Sequence, residues 1–181
     1  MKPVALALLL LALPQSSIEM EATYEYLLSP VERSAYDTLA TREERVRFLE
    51  EFWADLDPTP ETGYNELREL YLGRLELADL YFSLPFREGW RTDRGKVLVF
   101  YGSPVEIRRS PFGPAAGPKH EIWVYRSEGG ADVELVFEDR ADLGEFVLLS
   151  PVIFPERLPQ EREVPRLAED EGEEGAAGAP R

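Results

Sequence analysis

Glu66, Asp93 and Glu121 are the carboxylates with which this chain could do acid–base work. Two carboxylates facing each other across a cleft can act as general acid and general base on a glycosidic bond. Glu66 or Glu121 opposite Asp93 would make such a pair, although a chain with 35 acidic residues offers many pairs by chance. Asp55, Asp57, Thr59, Glu61 and Glu66 fall at positions 1, 3, 5, 7 and 12 of a calcium-loop template. That template needs glycine at its sixth position for a sharp turn, and here Pro60 stands there with its φ locked. The stretch therefore reads as a connector between helices, and no metal site is expected. His120 is the chain's one histidine and there is no cysteine, so thiolate chemistry, iron–sulfur clusters and multi-histidine metal sites are excluded. A Ser-His-Asp triad would have only His120 as its base, and its place at the start of a strand reads as surface or capping.

The stretch from Gly89 to Gly95 is chemically the densest. Gly89 and Gly95 permit backbone shapes or close approaches closed to other residues. Trp90 brings a large apolar wedge with one N–H. Thr92 and Asp93 can accept backbone N–H groups in a turn, and Arg94 can grip a carboxylate with two prongs. As a structural corner, the segment would feed the chain into the first strand, with Trp90 filling a gap between helices and sheet. As a site, it would present Asp93 as a base or ligand contact.

The elements that must hold these residues change period along the chain. Ser29-Pro30-Val31-Glu32 and Thr41-Arg42-Glu43-Glu44 are capping boxes that open two helices. Val46, Leu49, Phe52, Trp53 and Leu56 follow the second at helical spacing. After Asp57-Pro58-Thr59-Pro60 a third helix begins near Gly63 to Asn65, with Leu67, Leu70, Tyr71, Leu75, Ala78 and Phe82 on its buried face. Arg74 interrupts that face, which predicts pairing with an acid from elsewhere, Asp93 or Glu121. Lys96–Tyr101, Glu121–Arg126, Asp132–Phe137 and Phe146–Leu149 read as strands. Ser110–Lys119 reads as a loop, and Glu128-Gly129-Gly130 as a hairpin turn. Helices first and strands second predict an α+β domain: about three N-terminal helices packed on one face of a small antiparallel sheet of about four strands.

Gly89-Trp90-Arg91-Thr92-Asp93 resembles the signature of the bacterial GWxTD-domain family. Phe52-Trp53, Asp57 to Thr62, Asn65-Glu66, Tyr71, Arg74 and Ala78 resemble its helical half. Arg94-Gly95, Tyr101 to Pro104, Glu121-Ile122-Trp123 and Phe137 to Arg140 resemble its sheet half, so the likeness spans about Thr41 to Ser150. It implies export and a compact domain, and no reaction, substrate or cofactor. The residues it singles out as a binding or structural motif are Gly89, Trp90, Thr92, Asp93, Arg94, Arg74 and Trp123.

Lys2, the apolar run Val4–Leu13 and Pro14 have the layout of a secretory signal. The expected organisation is a signal peptide over 1–17, a helical lead-in over 18–40, the domain over 41–153 and a disordered acidic tail over 154–181. A net charge of −15 argues against nucleic acid and anionic lipid as partners. An aromatic content of 11% fits a packed domain rather than a disordered chain. The expected function is a non-catalytic module in the periplasm or at the envelope, with no cofactor and no transmembrane span after signal cleavage. Its partner would be another exported protein or an envelope polymer. The rival reading is a periplasmic hydrolase with paired carboxylates.

Overall fold

The computed structural model describes residues 17–110, 117–126, 131–155, 158 and 165–167. Residues 1–16 and 168–181, the centre of the Ser110–Lys119 loop and the turn at 128–130 lie outside these. Among the described residues five α-helices precede the sheet: α1 (Ser17–Tyr26), α2 (Pro30–Asp37), α3 (Arg42–Asp55), α4 (Glu66–Phe82) and α5 (Asp93–Tyr101). A short 3-10 turn, Gly89–Arg91, joins α4 to α5. Strands β1 (Glu106–Arg109), β2 (Lys119–Tyr125), β3 (Val133–Asp139) and β4 (Val147–Leu148) form an antiparallel sheet in that order. The α+β class and the four-stranded sheet are as the sequence predicts.

Local chemistry explains the helix starts. Both capping boxes close: Ser29 with Glu32 at α2, and Thr41 with Glu44 at α3, each satisfying backbone donors that a bare helix end would leave open. Asn65 caps α4 through Arg68 N–H. Leu67, Tyr71, Leu75 and Ala78 form the buried face of α4, whereas Leu70, expected there, is exposed.

Lys96–Tyr101 is not a strand but the body of α5. Val97, Leu98, Val99, Phe100 and Tyr101 are all buried, so the segment is apolar on every side. A short run of that kind carries no period by which a helix and a buried strand can be told apart. The deciding signal is at its ends. Thr92 caps it by accepting Gly95 N–H, and Gly102 stops it at a φ of +72°. The fourth strand is supplied instead by β1, which the sequence leaves unassigned.

The register sets Glu121, Trp123 and Tyr125 of β2 opposite Phe137, Leu135 and Val133 of β3. This face packs on the helices: Trp123 meets Phe82 at 5.6 Å, and Tyr125 meets Tyr101 at 6.2 Å between ring centres.

The fold continues past residue 153, where a disordered tail was expected. β5 (Val152–Ile153) pairs with β6 (Arg166–Leu167). Phe154 lies 5.3 Å from the Phe100 ring, Tyr101 Oη donates to Ile153 O at 2.6 Å, and Leu158 is buried. Apolar residues in an otherwise polar stretch anchor it.

Candidate functional site

The turn after α4 is closed by contacts that leave little room. Gly89 lies so near α4 that a Cβ there would fall 2.0 Å from Ala78 O, and a Cβ on Gly95 would fall 1.9 Å from Gly89 O. Gly89 N–H donates to Ser83 Oγ at 3.0 Å, and Trp90 N–H to Asp79 Oδ1 at 3.1 Å. Thr92 Oγ1 works twice, donating to Gly89 O at 2.7 Å and accepting from Gly95 N–H at 3.1 Å. Trp90 is buried, and its ring meets Tyr26 of α1 edge-on at 5.4 Å. Tyr26 Oη donates to Trp90 O at 2.6 Å, and burial drives the Tyr26 phenol's pKa far upward. The wedge expected between helices and sheet thus seats against the first helix. Asp93 Oδ2 accepts Leu148 N–H at 2.8 Å and ties the start of α5 to β4.

Arg94, the next residue, leaves this corner for an open cleft. The cleft encloses about 410 Å³ between α4 and the first two strands; Leu77, Tyr81, Ile107 and Trp123 line its sides, with Arg94 and Glu121 at its base. Glu121 Oε1 accepts Arg109 Nε at 2.9 Å, and Oε2 accepts Arg94 Nη1 and Trp123 Nε1, both at 3.3 Å. The Arg94 guanidinium lies between the rings of Phe82 at 4.8 Å and Phe146 at 4.2 Å, while its Nη2 donates to Gly144 O at 2.9 Å. Buried Asp139 accepts Leu143 N–H and Gly144 N–H, shaping the turn that presents this carbonyl. Burial pulls the Arg94 pKa below its ordinary value, and the Glu121 charge opposes the shift.

The remaining candidates lie elsewhere. Arg74 donates to Val99 O and Phe100 O near the end of α5, at 2.9 and 3.0 Å. The acids proposed for it are otherwise engaged: Glu121 with Arg94 and Arg109, and Asp93 with Leu148 N–H. Glu66 accepts the hydroxyls of Thr59 and Thr62, and these bonds lower its carboxyl pKa, Thr59 contributing most. It stands twelve residues before Ala78, against which the corner packs, or about 18 Å along α4. Such a separation does not make an acid–base pair with Asp93. His120 Nε2 lies 3.5 Å from Glu138 Oε1, on the sheet face away from Glu121. Among the described residues no three His, Cys, Asp or Glu side chains converge as a metal site would need.

A GWxTD-domain model matches residues 14–148, roughly three quarters of the chain. The chain belongs to the GWxTD-domain family. The match begins earlier than the likeness visible by eye and takes in α1 and α2. No curated protein and no solved structure matches the chain. In this GWxTD domain, the motif's glycine, threonine and aspartate build a turn with Gly95 just beyond them, and Arg94, the residue after the motif, reaches the cleft. Sequence reading missed Ile107, Arg109 and the aromatic pair around Arg94. Only the alternation in Val105-Glu106-Ile107-Arg108-Arg109 hinted at the first two.

A larger opening of about 500 Å³ lies among α1, α2 and α3. Among the arginines that line it, Arg91 bonds with Glu21 and Glu25, Arg33 with the Leu28 and Glu25 carbonyls, and Arg45 with the Leu39 carbonyl.

Proposed function

We propose that this protein is an exported, non-catalytic binding module that holds another exported protein in the cleft between α4 and β1. The observation that carries the reading is the cleft itself. It has exposed apolar walls and a fixed guanidinium–carboxylate base, a composition suited to binding. Both oxygens of Glu121 already accept donors, and the Asp93 carboxylate holds Leu148 N–H. Each carboxylate suggested for catalysis near the motif therefore has a positional task. Export rests on the leader: Lys2, the apolar run Val4–Leu13, and Pro14. Among the described residues no helix is long and apolar enough to cross a membrane.

A photo-crosslinking side chain placed at Ile107, with one at exposed Val31 on α2 as control, tests the reading in envelope fractions. The expected result is a discrete adduct from position 107 alone, which Arg109→Gln weakens. No adduct, or the same adducts from both positions, would overturn it. N-terminal sequencing tests export. Cleavage is expected no later than Ser17, because Glu19 of α1 pairs with Arg68 at 2.8 Å and Met20, Ala22 and Thr23 are buried. Finding Met1 intact would remove the export claim.

A further inference from the structure

β1 stands at the end of the sheet and pairs only with β2 among the described residues. In an antiparallel pair, alternate residues turn their backbone N–H and C=O toward the neighbour and away from it. Ser110 N–H donates to His120 O at 3.0 Å, so position 110 faces β2. The same parity turns Arg108 and Glu106 toward β2, and the backbone groups of Ile107 and Arg109 outward. The side chains of Ile107 and Arg109 share the cleft face with Trp123 and Glu121, their partners in the register. The outward backbone groups and the cleft-facing side chains thus belong to the same two residues.

Charge points to one kind of guest. Arg94 and Arg109 against the single Glu121 give the cleft base a surplus of one positive charge, in a chain whose net charge is −15. Arg109 gives its Nε to Glu121, while its side chain is 53% exposed and its Nη groups have no partner among the described residues. Across from it, α4 presents Leu77 and Tyr81, both exposed. A basic segment would meet two guanidinium groups there, and an acidic one would complement them.

Resting on the cleft being the binding face, we propose that its occupant is an extended segment of the partner protein, added as a strand on β1. An apolar side chain of that segment lies beside Ile107, and an aspartate or glutamate two positions on lies beside Arg109. The two-residue spacing follows from side chains alternating between faces along a strand. Backbone bonds to Ile107 and Arg109 supply affinity, and the pockets for alternate side chains supply selectivity.

The test uses the full mature protein and fluorescein-labelled, C-terminally amidated decapeptides. Positions i and i+2 take every combination of apolar, acidic, basic and neutral residues, and binding is read by anisotropy. The apolar–acidic combination should bind about tenfold more tightly than its amide counterpart, the worth of one charge-assisted hydrogen bond. Arg109→Gln should abolish that preference. N-methylation of the best peptide at one set of alternate positions should abolish binding, and at the other set leave it. Ile107→Pro removes an outward N–H that an edge strand can spare; it should lose the peptide while keeping the urea midpoint. A preference for basic residues, indifference to N-methylation, binding that requires a free C-terminal carboxylate, or self-association of the protein would each overturn the proposal. Failure of every peptide alongside a discrete adduct from position 107 would sink the added strand and spare the cleft. Failure of both would sink the cleft as well.

Discussion

The turn at Gly89–Asp93 and the cleft beside it meet at Arg94, yet they handle their polar groups in opposite ways. In the turn, Ser83, Asp79 and Thr92 meet backbone groups at short range, and two glycines let backbone lie on backbone. The exposed side chain of the turn, Arg91, is held by Glu21 and Glu25. In the cleft, charged groups hold one another and leave part of Arg109 exposed beside apolar walls. In this chain the signature residues hold backbone to backbone, and the cleft opens at Arg94, one residue on. A recurring motif can record what a fold requires rather than what it touches.

The contrast can be broken most forcefully at the glycines. Gly95→Ala puts a methyl group into Gly89 O, and unfolding measured in urea should show a loss of more than about 4 kcal/mol. Trp90→Ala should lose about 3–5 kcal/mol by the same measurement, the usual cost of removing a buried large aromatic. A loss below about 1 kcal/mol at either position would mean that the corner yields easily, and the comparison would fail on its rigid side.

Arg94 joins the two regions, and its replacement sharpens the boundary. Arg94→Met leaves Glu121, only 8% exposed along its side chain, with Arg109 and Trp123 alone. A loss of about 3 kcal/mol is expected, as for breaking one side of a buried pair. On the open side, Tyr81→Ser should change stability by no more than about 0.5 kcal/mol, as exposed positions do, while adducts from position 107 weaken. Loss of stability there would make the cleft another piece of architecture.

The smallest effect is expected at Glu66, remote from both regions. Its carboxyl pKa is lowered in the fold by the Thr59 and Thr62 hydroxyls. A lowered folded-state pKa means that the contribution is complete above the ordinary value of 4.5 and fades as pH falls through the folded value. Glu66→Gln should therefore flatten the acid side of the stability–pH curve slightly and leave it unchanged near neutrality. A change confined to neutral pH would contradict the assignment.

How much of this was legible depends on how far apart the cooperating residues lie. The capping boxes at Ser29 and Thr41 were readable because three residues of sequence hold all the partners. Strand alternation separates Trp123 and Tyr125 from Ile122 and Val124 and puts Leu135 and Phe137 inward, but the inward face of β2 is known only from the register. Helix α5 was misread because burial on every side erases periodicity, although Thr92 and Gly102 mark its ends. Arg74 reads from sequence as the partner of an acid, but it bonds helix-end carbonyls, which are invisible as candidates until the helix is known. The cleft was the hardest to foresee. Its walls come from α4 and from a four-residue edge strand whose exposed pattern carries no burial signal.

The central claim is that the signature motif is architecture, and Asp93 tests it most directly. Its carboxylate accepts Leu148 N–H at 2.8 Å and sits in the first turn of α5, where negative charge favours the helix. The urea midpoint of Asp93→Asn should fall below that of the parent, by about 1–3 kcal/mol in unfolding free energy. A midpoint equal to or above the parent's would contradict the account and return Asp93 to the list of functional carboxylates.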